Sequence, residues 1–269
     1  VSAVEFHSLE REHLARVVKC QQDAFSDYPV PAVLDEVGLS VYLRETDVAL
    51  ERSWGAYSDG AMVGFCLGAV RGSQGSVRGE GTAVDHRRRG IGGQVLERTL
   101  GSLRDAGATS IGLEVLDQNL SAIGLYEQHG FVRRRKLVGW SLRRQLLRRP
   151  EHAVAIAPAE AVRRLRLWGW PEAPWQLQIE TLKQLPAYAL GDDTVAVAKL
   201  RGRKMWLYAL AVDPVNRRLG RASALIRSLP ATRISIPALM PEEWDSGTAL
   251  LRSLGSRLDP LTQWEMTDE

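Results

Sequence analysis

The side chains best suited to chemistry lie close together between residues 80 and 126. The segment Arg87-Arg88-Arg89-Gly90-Ile91-Gly92-Gly93 separates an extended stretch from an amphipathic one. A helix that starts there leaves its first backbone N–H groups without partners, at the positive end of its dipole. Glycine lets an anion such as a pyrophosphate approach those amides, and the arginines add charge-assisted contacts. The pattern is not a dinucleotide fingerprint, because Val95 stands where the third glycine would be. It also lacks the Gly-Lys-Ser/Thr of an ATP-type loop. Taken alone, the segment also reads as a tight turn before a helix.

A second constellation follows. Asn119 and Tyr126 are two helical turns apart, so they share a face with Ala122 between them. Glu114 alternates out of phase with Leu113 and Val115 and projects from the other face of its strand. A carboxylate at a strand end and a phenol on the next helix can converge on one cleft.

These residues need a scaffold of alternating strands and helices. Residues 4–9 read as a strand, and Leu14, Val17, Val18, Ala24 and Phe25 form the apolar stripe of a helix. Residues 47–57 and 61–70 read as strands joined at Ser58-Asp59-Gly60. A strand from 76 to 82 or 84 comes next. A helix with Val95, Leu96, Leu100 and Leu103 on one face follows, closed by Gly107. A strand over 110–116, a helix over 120–129 and a strand or strand pair over 131–142 finish this half. The same grammar then returns: a helix at 159–168, a hairpin over 187–190 and 194–200, and a strand at 205–212. A helix at 222–229, a short strand at 234–236 and a helix at 242–254 complete it. The repeat shows in residues as well, since Ala83-Val84-Asp85 and Arg87-x-x-Gly90 answer Ala211-Val212-Asp213 and Arg217-x-x-Gly220. The expected fold class is α/β in the mixed α+β sense: two tandem domains, 1–148 and 152–269, each a mostly antiparallel mixed sheet flanked by helices. The boundary is placed in the proline-containing, basic stretch 146–158.

Together these segments resemble the GNAT superfamily of acyltransferases. The family's (Gln/Arg)-x-x-Gly-x-(Gly/Ala) loop appears as Arg87-x-x-Gly90-x-Gly92. Its Asn-x-x-Ala-x-x-x-Tyr helix appears at Asn119, Ala122 and Tyr126, followed by Gly130-Phe131. The run 110–131 is similar to bacterial ribosomal-protein alanine acetyltransferases. The resemblance implies direct transfer of an acetyl group from acetyl-CoA to a primary amine, with no acyl-enzyme and no metal. The pyrophosphate would sit on the amides of Arg88, Arg89, Gly90, Ile91, Gly92 and Gly93, in the loop that Arg87 opens. Asn119 would be a polar anchor for the pantetheine, and an N–H among Thr82, Ala83 and Val84 would polarise the thioester carbonyl. Tyr126 would protonate the CoA thiolate, with Glu114 as first choice of base and Glu80 as second. One detail departs from the family, which usually places a Val eight residues before the first loop glycine. Here Thr82 holds that position and Val84 is only six before Gly90, so the contacts within 80–84 stay open.

The second half keeps a loop but not the chemistry. Leu210, Ala211, Val212, Arg217, Arg218, Leu219, Gly220, Arg221 and Ala222 could form a second CoA site. If Gly255 answers Gly130, however, Leu251 replaces the tyrosine and Trp244 the asparagine. The first domain is therefore the expected active one. The second could bind CoA idly, shape the acceptor cleft or simply pack; the two-domain plan has an analogy in the mycothiol synthases.

Composition narrows the remaining readings. The chain has 269 residues, 45% hydrophobic and 25% charged, as in a globular protein with room for two cores. No apolar run reaches the roughly 20 residues of a membrane span, and the N-terminal residues do not read as a signal peptide, so a cytoplasmic location is expected. Cys20 and Cys66 sit in apolar patterns and read as buried thiols. The net charge of +3 is small, and the basic run Arg133–Lys136 with Arg143, Arg144, Arg148 and Arg149 reads as a solvated face, which argues against nucleic acid. The expected partner is a small-molecule amine or peptide acceptor, whose pocket would draw on residues 25–50 and on the second domain. The protein would be a monomer or homodimer. Two other readings stand beside the enzyme: a non-catalytic acyl-CoA sensor, and a scaffold in an assembly.

Overall fold

The computed structural model describes residues 3–28, 34–143 and 152–268. It divides into two compact units, Val1–Arg134 with Glu265–Glu269, and Arg135–Trp264. The expected boundary at 148–152 falls largely outside the described residues, as do Arg144, Arg148 and Arg149 of the basic run. The units are cut elsewhere, because the end of the chain belongs to the first.

The first unit runs β1 (Glu5–Ser8), α1 (Leu14–Ala24), α2 (Glu36–Glu45), β2 (Trp54–Ser58), β3 (Ala61–Arg71), β4 (Gln74–Thr82), α3 (Ile91–Asp105), β5 (Ser110–Leu116) and α4 (Leu120–Gln128). Strands β1 to β4 pair antiparallel in sequence order, and β4 pairs parallel with β5, the crossover being α3. Helix α1 buries Val17, Val18 and Ala24 of the expected stripe, with Leu14 and Phe25 half-buried, and adds Cys20; Val17, Val18 and Cys20 share a cluster with Phe65 and Leu67 of β3. Helix α3 buries Val95, Leu96, Leu100 and Leu103, again one face of a 3.6-residue period. Helix α2, absent from the sequence reading, is started by Asp35, whose side chain accepts from the Gly38 N–H at 2.7 Å. The strand expected over 47–57 is shorter. Leu50–Arg52 close into a 3-10 turn, and Ser53 turns its hydroxyl back to the Ala49 carbonyl, so β2 begins at Trp54.

The second unit opens with most of β6 (Phe131–Arg143), followed by β7 (Val154–Ile156), α5 (Pro158–Leu167), α6 (Ile179–Leu182), β8 (Ala187–Ala189), β9 (Thr194–Arg201) and β10 (Lys204–Val212). Then come α7 (Arg221–Ser228), β11 (Arg233–Pro241), α8 (Asp245–Ser253) and β12 (Arg257–Asp268). Strands β7 to β10 pair antiparallel, β10 and β11 pair parallel, and β11 returns antiparallel to β6. One apolar cluster gathers Leu225, Leu229 and Ile234, and another gathers Leu165, Leu182 and Val195. Strand β12 was not read from the sequence, where Pro260 argues against a strand interior. Its last residues belong to the first unit: Asp268 accepts from the Ile111 N–H at 2.5 Å and pairs with Arg104 at 2.7 Å.

No helix among the described residues is long and apolar enough to cross a membrane.

Candidate active site

The first unit opens a cleft of about 950 Å3 where β4 and β5 part. The two strands pair only over Gln74–Val77 and Ser110–Leu113. Beyond that, β4 carries a bulge: Leu67 faces Gly79 and Gly68 faces Val77, which leaves Arg78 unpaired in the ladder. Arg78 is re-aimed between the strands, where its guanidinium meets Glu114 at 2.5 Å and Ser76 Oγ at 3.2 Å. Tyr42 donates to the Arg78 carbonyl at 2.6 Å and holds the bulge from α2.

This pairing decides between the two carboxylates. The Glu114 side chain is 6% exposed and joined to a guanidinium that is itself buried. Glu80 instead lines the cleft, unpaired by any short ion pair among the described residues. A methyl group at Gly92 would come within 3.0 Å of Glu80 Oε1 and 3.3 Å of Thr82 Oγ1. Only glycine lets the carboxyl lie this close to the first turn of α3. Burial pushes the Glu80 carboxyl up to about 7, against the opposite pull of Arg87.

Tyr126 is buried behind the residues that line the cleft, not among them, and packs on Phe131, ring centroids 6.0 Å apart. Burial first, then the charge of Glu80, holds its phenol well above the usual range, so it keeps its proton. Cys66 stands opposite Glu80 across the ladder, and burial raises its thiol strongly. Burial likewise pushes Cys20 up to about 12. Both stay protonated at neutral pH and are poor nucleophiles.

The loop before α3 supplies the anion end. Arg88 and Gly90 both have positive φ, 62° and 75°, and Gly90 caps α3 with no side chain. The amides of Ile91, Gly92 and Gly93 therefore begin the helix at the cleft wall. Arg87 lines the cleft but is turned into a brace, donating to the Ala24 carbonyl at 2.8 Å and to Asp27 at 2.7 and 2.8 Å. Arg88 also lines the cleft, whereas Arg89 is exposed outside it. Of the amides expected at the thioester, Ala83 donates to the Val63 carbonyl at 2.9 Å and Val84 to Asp23 at 3.4 Å, which leaves Thr82 as the member of the trio lining the cleft. Asn119 caps α4, accepting from the Ala122 N–H at 3.1 Å, and faces the cleft.

Phe25 and Tyr28 complete the cleft wall, their rings tilted at 60° with centroids 5.2 Å apart, and no motif in the sequence marks them. Of the stretch 25–50 expected to shape the acceptor pocket, residues 29–33 lie outside the described residues.

The second unit repeats this backbone. Strands β10 and β11 pair only over Lys204–Trp206 and Arg233–Ser235, and Tyr208 occupies the bulge. Arg218 and Gly220 have φ of 66° and 77°. Arg217 donates to the Trp168 carbonyl at 2.9 Å and to the Val212 carbonyl at 3.2 Å, as Arg87 braces its own loop. Of the residues named for a second CoA site, Leu210, Ala211 and Arg217 line a cavity there; Val212, Arg218, Leu219, Gly220, Arg221 and Ala222 do not. Arg221 is held by Asp193 at 2.7 Å.

The cleft thus joins a splayed parallel strand pair, an uncapped glycine-led helix and a carboxyl at their junction. Residues 15–131 match the model of the Acetyltransferase (GNAT) family. The fold likeness extends over the whole chain. A GCN5-related N-acetyltransferase from Sphaerobacter thermophilus is 14% identical with a TM-score of 0.71, covering 98% of this chain and 95% of that one. A tandem GNAT protein from the clavulanic acid biosynthesis pathway is 17% identical with a TM-score of 0.70, covering 98% of both chains. A GCN5-related N-acetyltransferase from Kribbella flavida is 14% identical with a TM-score of 0.62, covering 99% of this chain and 71% of that one. No curated protein matches the sequence.

Proposed function

We propose that the N-terminal domain, expected over 1–148, moves the acetyl group of acetyl-CoA directly to a primary amine on a small molecule or peptide N-terminus. The observation that carries this is Glu80: a carboxyl facing the cleft, against the first turn of α3, with a pKa pushed up to about 7. Such a group takes a proton from an arriving ammonium at neutral pH. The freed nitrogen attacks the thioester carbon, and the C–S bond breaks as the tetrahedral intermediate collapses. The departing thiolate takes its proton from Tyr126, whose phenol burial keeps protonated, and the second proton shed by the acylated nitrogen restores the phenol. The amides of Ile91, Gly92 and Gly93 bind the pyrophosphate, and Asn119 anchors the pantetheine arm.

Glu80 thus replaces Glu114 as the proposed base, because Glu114 is committed to Arg78. The test is release of free CoA thiol from acetyl-CoA across amines, polyamines, aminoglycosides and peptide N-termini. An acceptor-dependent release that Glu80→Gln suppresses supports the reading. Binding of acetyl-CoA with no turnover on any acceptor would favour a sensor instead.

A further inference from the structure

The second unit's splay holds a cavity of about 550 Å3, within the range of small-molecule sites. Leu210 and Leu251 stand where the first unit has Glu80 and Tyr126, and Trp244 stands at the cap position of Asn119. These three positions therefore carry no acid, base or polar anchor for a thioester. Its walls are aromatic: Trp168, Trp170, Tyr208 and Trp244 all face it. The rings of Trp170 and Trp244 meet nearly at right angles, 79°, with centroids 5.7 Å apart. Trp170 donates its indole N–H to the Leu177 carbonyl at 3.0 Å, so its hydrogen-bonding group is engaged within the fold.

We propose that this cavity binds a small organic cation with an apolar body, an alkyl- or aryl-ammonium compound. The negative faces of indole and phenol rings attract a cation that has left water, and Trp does so best. Two exposed carboxylates, Glu243 and Asp245, stand at the cavity with these rings. Glu243 lies 3.8 Å from Arg135, whereas Asp245 has no ion pair among the described residues. Arg217 also lines the cavity, but its guanidinium is donated to the Trp168 and Val212 carbonyls. Buried Leu207, Ile236 and Met240 supply the apolar floor that takes the body of the ligand.

The site is independent of the reaction proposed for the first unit, and its test is binding. Hexyltrimethylammonium, 1-hexanol and hexanoate share one chain and differ in charge. Titrated into the full chain by calorimetry and tryptophan fluorescence, hexyltrimethylammonium should saturate with a Kd about tenfold below that of 1-hexanol, with hexanoate weakest. Asp245→Asn, an exposed change, should narrow that gap at unchanged Tm. Trp244→Leu should abolish binding while thiol release from acetyl-CoA continues. Equal or tighter binding of 1-hexanol or hexanoate, or no saturable binding of hexyltrimethylammonium, would overturn the proposal. So would an unchanged gap in Asp245→Asn, which decides the matter even if Trp244→Leu fails to fold.

Discussion

The two units share a backbone and differ in what it presents. Each parts a parallel strand pair beyond a bulge, at Arg78 in one and Tyr208 in the other. Each reaches its loop through two left-handed residues, Arg88 and Gly90 or Arg218 and Gly220, and each braces that loop with one arginine. The next helix begins with nearly the same cap dihedrals, φ −84° and ψ 67° at Asn119, φ −76° and ψ 73° at Trp244. Yet the first splay is lined by Glu80, Asn119 and glycine amides, and the second by indoles and aliphatic side chains. Backbone geometry is held by turn sterics and strand pairing, which many side chains satisfy. Proton transfer needs particular groups at particular depths, so it can be lost while the fold stays.

The largest effect should come from the buried pair in the first unit's bulge. Glu114→Gln leaves the Arg78 guanidinium buried without its carboxylate, at a cost of roughly 3–5 kcal/mol of stability. Urea unfolding should show this loss, while kcat per folded molecule stays near wild type. Unchanged stability with a lost basic limb in the pH profile would return Glu114 to the role of base and erase the proposed division of labour.

Glu80→Gln should show the complementary pattern. Turnover at neutral pH should fall by about 10²–10³-fold, and the limb of kcat/KM near pH 7 should vanish. The stability consequence has the opposite sign. Because the folded state raises this carboxyl from 4.5 to about 7, the fold favours its neutral form. That stabilisation is fully present below about pH 4.5 and is lost as the pH rises through 7, a change of about 3 kcal/mol. Glu80→Gln should therefore melt higher than wild type at pH 8 and lose this pH dependence. A variant that melts lower at pH 8 and keeps its activity would remove Glu80 from the site.

Tyr126 and Leu251, equivalent by their helix caps, sharpen the contrast. Tyr126→Phe keeps the ring against Phe131 and deletes only the proton donor, so kcat should fall by roughly 10²-fold with acetyl-CoA affinity nearly unchanged. Leu251→Ala should lower Tm through lost packing and leave turnover per folded molecule intact. Full activity in the first, or a specific catalytic loss in the second, would place the chemistry in the other unit.

The sequence was legible where chemistry demands a residue type at a fixed spacing. Gly90 and Gly92 share one turn, and Asn119 and Tyr126 one short helix with Asn119 at its cap, so those local placements follow from periodicity; that Asn119 lines the cleft and Tyr126 does not follows from packing. The choice between Glu80 and Glu114 was not legible, because it depends on a bulge that sends Arg78 between two strands and on a ladder that sets Glu80 beside Cys66. Tyr28 reaches the cleft through tertiary packing that no motif encodes. Strand β12 lay further still from local reading: Asp268 meets the Ile111 amide across 157 positions of sequence. Alternation alone could not tell which unit would receive those residues.

The smallest effect comes from the pair that differs least. Gly90 and Gly220 have φ of 75° and 77°, and a methyl group at either would meet nothing within 4 Å. Substitution by alanine therefore acts through backbone strain alone, about 1–2 kcal/mol at each position. The two variants should lose similar stability in urea. Gly90→Ala should also shift the loop whose amides are proposed to hold the pyrophosphate, weakening acetyl-CoA by roughly tenfold, the equivalent of about 1.4 kcal/mol. Gly220→Ala should leave acetyl-CoA affinity where it was, because its splay opens onto indoles and Leu210 rather than a polar anchor. The measurement is calorimetric Kd for acetyl-CoA beside the unfolding midpoint of each variant. Equal losses of affinity in both would mean that two sites bind the cosubstrate, and a loss confined to Gly220→Ala would mean that the second unit holds it.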